Sequence, residues 1–259
     1  MPRFAANLSF LFTELPFLDR YEAAAKAGFK AVEAFSVYEH PATEVAARLK
    51  NNGLQQILFN LPAGDAARGE RGLAALRGRE ADFEVSARKA LDYAKALGTP
   101  QVHCMAGLVT QGANRKSFVA NLRSCARMFA GEGINVIVEP LNLRDNPGYF
   151  LSTLEEARSI IYEVGEKNLG LQFDLYHRAI MGGDVAMAIR EFKEIAWHYQ
   201  CANPPDRAEP DDGEQNYAFL FKEVDASGYK GWIGCEYKPR NGTLEGLKRW
   251  PKACGVTIG

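Results

Sequence analysis

The sequence predicts an α/β fold, a single-domain (β/α)8 TIM barrel over residues 1–259. Three observations carry that expectation. Short apolar runs alternate with longer amphipathic runs eight times along the chain. A length of 259 residues suits eight such units in one domain. The doubly wound open sheet is the competing architecture, and no GxGxxG fingerprint follows the first strand to support it.

The first unit pairs a strand over 3–11 with a helix over 17–27, and the second pairs 31–36 with 43–52. The third joins 55–61 to a helix over 80–97 through a long connection, 62–79. The next three are 101–106 with 115–130, 135–141 with 153–164, and 170–176 with 185–192. The last two are 196–202 with 217–225, and 231–237 with 243–250. Several of the short runs are rich in Val, Ile and Phe, as strands buried on both faces are. Gly28, Gly53, Gly98, Gly133 and Gly228 fall just past helical runs, where a left-handed C-cap favours glycine. Thr153, Asp184 and Thr243 stand at N-cap positions, and Glu156 completes a capping box with Thr153.

Composition narrows the function. The 31 Lys+Arg and 32 Asp+Glu leave a net charge of −1, without the bulk attraction that nucleic-acid or membrane-surface binding uses. Five cysteines with no CxxC pair argue against a disulfide framework or structural zinc and fit a reducing compartment. The apolar start over 4–12 is broken by Asn7 and Ser9 and followed by Glu14, unlike a signal peptide. No run approaches the roughly 20 apolar residues of a membrane span. The expectation is a cytoplasmic enzyme acting on a small molecule, with no nucleic-acid or membrane partner. Large apolar groups such as Phe219 leave room for a homo-oligomer.

In such a barrel the chemistry sits where strands end. Four consecutive strands end in Glu139, Asp174, Gln200 and Glu236. Singly, each acid also reads as a loop-edge residue or a cap. Together, three carboxylates in one barrel mouth repel unless a cation sits among them, and oxygen ligands suit Mg²⁺ or Mn²⁺. Glu139 and Glu236 flank that metal position, so one can remove a C–H proton while the other returns one to the neighbouring carbon. With the metal stabilising an enediolate, this specifies 1,2-isomerisation or epimerisation. The simpler alternative keeps both glutamates as ligands only.

Other candidates surround this set. His103 and His177 are placed to orient substrate, and Arg207 to grip a carboxylate. Lys238 follows Glu236 by two positions and points the same way while the chain stays extended. Glu33 and Asn60 close the second and third strands as candidates for the pocket floor, Asn60 as a substrate-binding residue. The 62–79 connection, with Arg71 among its arginines, reads as a lid or substrate loop. His198 is assigned to the barrel interior, outside the site.

At this point the motifs resemble the hydroxypyruvate isomerase family. They include Gly69-Glu70-Arg71-Gly72-Leu73, Glu139-Pro140-Leu141-Asn142 running to Leu151, and Leu171-Gln172-Phe173-Asp174 with Tyr176-His177. Glu209-Pro210-Asp211 and Gly234-Cys235-Glu236-Tyr237-Lys238-Pro239 complete them. The resemblance implies a TIM-barrel enzyme interconverting hydroxypyruvate and tartronate semialdehyde, with a divalent metal at Glu139, Asp174, Gln200 and Glu236 and the two glutamates as the proton pair. It leaves open a 2-oxo-tetronate isomerase or a ketose 3-epimerase on the same site. A phosphodiesterase of the AP-endonuclease type would need more than four histidines and a basic surface. A non-catalytic hydroxy-acid-binding barrel would not need four intact strand-end ligands. Ala208 stands where the family usually has histidine.

Overall fold

A computed structural model of the chain describes residues 2–258; residues 1 and 259 of the expected domain lie outside the described residues. Eight parallel strands form the sheet: β1 (Arg3–Asn7), β2 (Ala31–Ala34), β3 (Gln55–Phe59), β4 (Gln101–His103), β5 (Asn135–Val138), β6 (Leu169–Asp174), β7 (Ala196–Cys201) and β8 (Trp232–Cys235). The helices are α1 (Asp19–Lys26), α2 (Ala42–Asn52), α3 (Glu80–Leu97), α4 (Arg115–Ala130), α5 (Leu154–Val164), α6 (Leu175–Met181), α7 (Val185–Phe192), α8 (Tyr217–Ala226) and α9 (Thr243–Cys254). The strand order is β3-β2-β1-β8-β7-β6-β5-β4. The seam between β3 and β4 is closed by the Asn60–His103 bridge, where Leu61 N–H donates to the His103 carbonyl at 2.9 Å. This is the expected barrel.

The two-residue period of a strand sorts side chains between the helices and the barrel interior. Phe4 and Ala6 pack outward into the main core, while Ala5 joins Ala31, Ile57, Leu58 and Ile137 in a small apolar plug inside the barrel. Two residues further along the same inward rows stand Asn7, Glu33 and Glu139. On the other side of the barrel, register pairs Gln172 with His198, Asp174 with Gln200, and Gln200 with Gly234. The interior therefore changes from apolar to polar toward the ends of the strands, and the acids crown it.

The ends of the elements differ from expectation where side chains take over the backbone hydrogen bonds. Most strands are shorter than predicted, and β1 stops at Asn7 because Leu11 N–H turns back onto the Asn7 carbonyl at 2.8 Å. The run expected over 170–176 ends at Asp174, whose Oδ1 accepts from Tyr176 N–H at 2.8 Å and caps the additional helix α6. Thr153 caps α5, accepting from Glu156 N–H at 3.2 Å. The Glu156 carboxylate reaches Ser152 N–H rather than the Thr153 amide of a full box. Asp184 precedes α7 with φ 45° and makes no side-chain cap. Thr243 lies inside α9, and its hydroxyl instead accepts from Phe12 N–H at 2.8 Å, tying α9 to the loop after β1.

The 62–79 connection is tied down at its far half. Leu73, Ala74, Ala75 and Leu76 are buried in a turn held by Ala75 N–H to the Ala106 carbonyl at 2.8 Å and by Asn121 Nδ2 to the Ala74 carbonyl at 2.9 Å. Gly72 has φ 112°, and a side chain there would collide with the Met105 backbone, so only glycine passes. No helix among the described residues is long and apolar enough to cross a membrane.

Candidate active site

The strand ends open into a cavity of about 730 Å³. Its floor carries Glu139, Glu236, His103 and His177, and its rim carries Arg71 and Lys238. Glu139, Asp174 and Glu236 are all buried. One oxygen each of Glu139 and Asp174 and a ring nitrogen of His177 lie within 4.8 Å of one another. Glu139 Oε1 and Asp174 Oδ2 are buried without a hydrogen-bond partner.

Such crowding raises carboxyl pKa values. Burial pushes Glu139 well above its usual range, with the charges of Glu236 and Asp174 adding to it. Burial brings Asp174 to about 6 against the opposing pull of Arg207. Glu236 is raised by burial too, again opposed by Arg207. Arg207 keeps its charge: burial works against it, but Glu236, Asp174 and Glu139 together push its pKa up.

The histidines are neutral for the same reason. Burial brings His103 down to about 3, and takes His177 well below its ordinary value with help from Arg207. His177 Nδ1 accepts from Asn142 N–H at 3.0 Å, so its proton belongs on Nε2. That Nε2 faces Asp174 Oδ2 at 3.5 Å and Glu139 Oε1 at 3.7 Å. In this arrangement Nε2 turns a proton rather than a lone pair toward the acids, without making a hydrogen bond to either. His103 Nδ1 meets Asn60 Oδ1 at 3.1 Å, and its Nε2 is free.

A hard divalent cation fits these donors. The unpartnered oxygens of Glu139 and Asp174 offer two of the four expected ligand positions. The other two are engaged as the structure stands: Gln200 Oε1 accepts from Gln172 Nε2 at 2.6 Å, and Gln200 Nε2 donates to both Glu33 and Glu236. Glu236 receives Arg207 on Oε1 and Asn7, at 3.0 Å, on Oε2.

Arg207 is thus drawn into the acid cluster, with Asp174 Oδ2 at 3.6 Å as well. The rings of Phe10 and Tyr176 sandwich its guanidinium, each centroid 5.0 Å away. Its backbone is left-handed, φ 56°, an unfavourable state for a non-glycine residue. Lys238 N–H donates to its carbonyl at 2.7 Å, and the Asn203–Ala208 pair bonds on either side of it. Lys238 itself is exposed, past the end of β8 at Cys235, and lines the same cavity as Glu236. Arg71 is exposed at the rim and donates to Asn146 Oδ1. Ala208 is buried beside Arg207.

Sequence reasoning missed Asn7 and set His198 aside. His198 Nε2 lies 2.7 Å from Glu33 Oε2, one layer beneath the acids. Applying the strand-end rule to β1 finds Asn7 once the strand is taken to stop there.

The family model described as xylose isomerase-like TIM barrel matches residues 21–254. A 2-oxo-tetronate isomerase of Cupriavidus necator is 51% identical over 95% of this chain and 96% of its own length. The hydroxypyruvate isomerase of Escherichia coli K12 is 42% identical over 96% of this chain and 98% of its own. A crystal structure titled AP endonuclease, family 2, from Brucella melitensis is 47% identical, with a TM-score of 0.94 over 97% of this chain and 98% of that one.

Proposed function

This chain belongs to the xylose isomerase-like TIM barrel family and is an isomerase of it, and we propose that it converts a short 2-oxo-3-hydroxycarboxylate into the 2-hydroxy-3-oxo isomer. The observation that carries this reading is the pair of buried glutamates, Glu139 and Glu236, on the floor of one cavity. Hydroxypyruvate and tartronate semialdehyde are the three-carbon pair. The 2-oxo-tetronate pair repeats the same C1–C3 pattern with a hydroxymethyl group on C3.

One glutamate takes the C3 proton, and the electron pair left behind becomes a C2=C3 double bond as the C2 oxygen gains charge. The other glutamate then gives a proton to C2 while the 3-hydroxyl proton passes to the charged C2 oxygen, leaving a carbonyl at C3 and a hydroxyl at C2; exchange of one proton with water returns both glutamates to their starting states. Nothing is oxidised or reduced overall, so no second substrate is needed. Neutral His177, with its proton on Nε2, is a ready donor to an oxygen gaining charge. Arg71 and Lys238 give the rim two cations for a carboxylate, beside the acids Glu39 and Asp145. Mg²⁺ or Mn²⁺ held by Glu139 and Asp174, with Glu236 beside them, would polarise the substrate carbonyl and offset the repulsion among the acids.

A second reading, the four-carbon acid as preferred substrate, is favoured by the 51% identity to a 2-oxo-tetronate isomerase. Measuring kcat/KM on hydroxypyruvate and on 2-oxo-tetronate, with Mg²⁺ and Mn²⁺ each supplied to EDTA-treated protein, separates the two. The higher value names the substrate, and absence of turnover on both contradicts the proposal. A cytoplasmic location agrees with five cysteines that are all free and buried.

A further inference from the structure

Beneath the acids lies a buried group that the isomerisation does not use. Glu33, at the inner face of β2, is 1% exposed and reaches across the barrel toward β8. It can do so only because residue 234 is glycine: a Cβ there would lie 2.5 Å from the Glu33 carboxyl carbon. Glu33 Oε1 accepts from Asn7 Nδ2 at 2.9 Å and from Gln200 Nε2 at 2.7 Å. The same two amide nitrogens also donate to Glu236 Oε2. Two amides are thus shared between two carboxylates, and His198 Nε2 holds the other Glu33 oxygen at 2.7 Å.

We propose that Glu33 is a positioning residue for Glu236: as the common acceptor of Asn7 and Gln200 it fixes both amides, they fix Glu236 Oε2, and Oε1 is left facing Arg207, itself a residue of the cavity wall. The physical reason is geometric. A carboxylate on three rotatable bonds has many orientations, and two donors anchored from below select one. Proton transfer between carbon and oxygen is sensitive to such placement, a misplacement of about 1 Å costing on the order of 10²-fold. Gln200 thereby has a role apart from metal ligation, and the interior histidine His198 a purpose as the brace of Glu33. This deepens the isomerase reading and rests on it for its kinetic test.

The experiment compares Glu33→Gln, Glu33→Leu and Gly234→Ala in the full chain with Mg²⁺ or Mn²⁺ saturating. Glu33→Gln keeps an acceptor oxygen for the two amides and retains kcat within about threefold of the unmodified protein. Glu33→Leu removes the acceptor, so kcat falls by roughly 10- to 100-fold while KM stays within about threefold. Gly234→Ala drives the Glu33 carboxylate off its place and gives the same loss, which keeps the test decisive if Glu33→Leu does not fold. A lowered Tm with unchanged kcat in both Glu33→Leu and Gly234→Ala marks a merely structural role and overturns the proposal, as does a Glu33→Gln variant as slow as Glu33→Leu. A crystal structure of Glu33→Leu, or of Gly234→Ala in its place, reads the same point without substrate. Glu236 Oε2 released from Asn7 and Gln200 supports the proposal, and an unmoved Glu236 carboxylate overturns it. Should the unmodified protein turn over neither acid, the substrate reading fails and the crystal structure still decides the role of Glu33.

Discussion

The most exposed commitments concern single side chains. Replacing either glutamate by glutamine keeps its shape and would remove the proton traffic proposed for it, so Glu139→Gln and Glu236→Gln are each expected to lower kcat by at least ~10²-fold. The stability effect separates them from ordinary lesions. Glu139 receives no side-chain hydrogen bond on Oε1 and sits against two other acids, so Glu139→Gln leaves the Tm of metal-free protein equal or higher. A lower Tm in a thermal melt contradicts this electrostatic account. Arg207→Met acts in the opposite direction: Glu236 and Asp174 lose their buried partner, and urea unfolding of metal-free protein shows a loss of about 3–5 kcal/mol. Four strand-end residues were legible in the sequence because a run ending in an acid or amide is a local pattern. The engagement of Arg207 by the acids was not, since it depends on a left-handed backbone and on two distant aromatic rings, Phe10 in the loop after β1 and Tyr176 in α6. His198 lay hidden because a histidine within an apolar run looks the same whether or not a distant acid faces it.

Among the elements, all eight strands and every helix but α6 could be read from the alternation of apolar and amphipathic runs, since long amphipathic segments keep their period whatever surrounds them. Their ends could not, because caps and turns decide them: Asp174 stops β6 by capping α6, and Asn7 stops β1. The 62–79 connection shows the same division. Its length pointed to a substrate loop, and Gly64, Glu70 and Arg71 do line the cavity. What the sequence did not reveal is its anchor. Glu70 is buried, accepts from Asp65 N–H at 2.7 Å and pairs with Arg79, which keeps its carboxyl below the ordinary range. Glu70→Ala therefore frees the cavity half of the loop while the buried Leu73–Leu76 turn holds the rest. Trypsin then cleaves after Arg68 or Arg71 at least ~10-fold faster than in the unmodified protein, with a loss of global stability of only about 1–3 kcal/mol. Unchanged cleavage rates would mean that Glu70 anchors nothing.

For the molecule as a whole, the acid cluster couples stability to pH, and a cation bound as proposed would act on the same coupling. Asp174 has a pKa of about 6, against about 3.9 in an unfolded chain, so the native state holds the extra proton between those values. Stability of the metal-free protein from this group is present at pH 4 and is lost as the pH rises to about 6. Glu139 and Glu236, also raised, carry the loss higher. A divalent cation held by these acids, as proposed, would stand in for the protons, so Mn²⁺ is expected to raise Tm strongly at pH 8 and little at pH 5. An equal increase at both values contradicts the coupling. The central claim is that two glutamates move a proton between adjacent carbons, and proton NMR in D₂O reads it directly. EDTA-treated protein is given hydroxypyruvate or 2-oxo-tetronate, with and without Mg²⁺ or Mn²⁺. The account predicts cation-dependent formation of the 2-hydroxy-3-oxo isomer with deuterium entering at carbon, and loss of that exchange in Glu139→Gln and Glu236→Gln. No deuterium at carbon from either acid under any cation would contradict it.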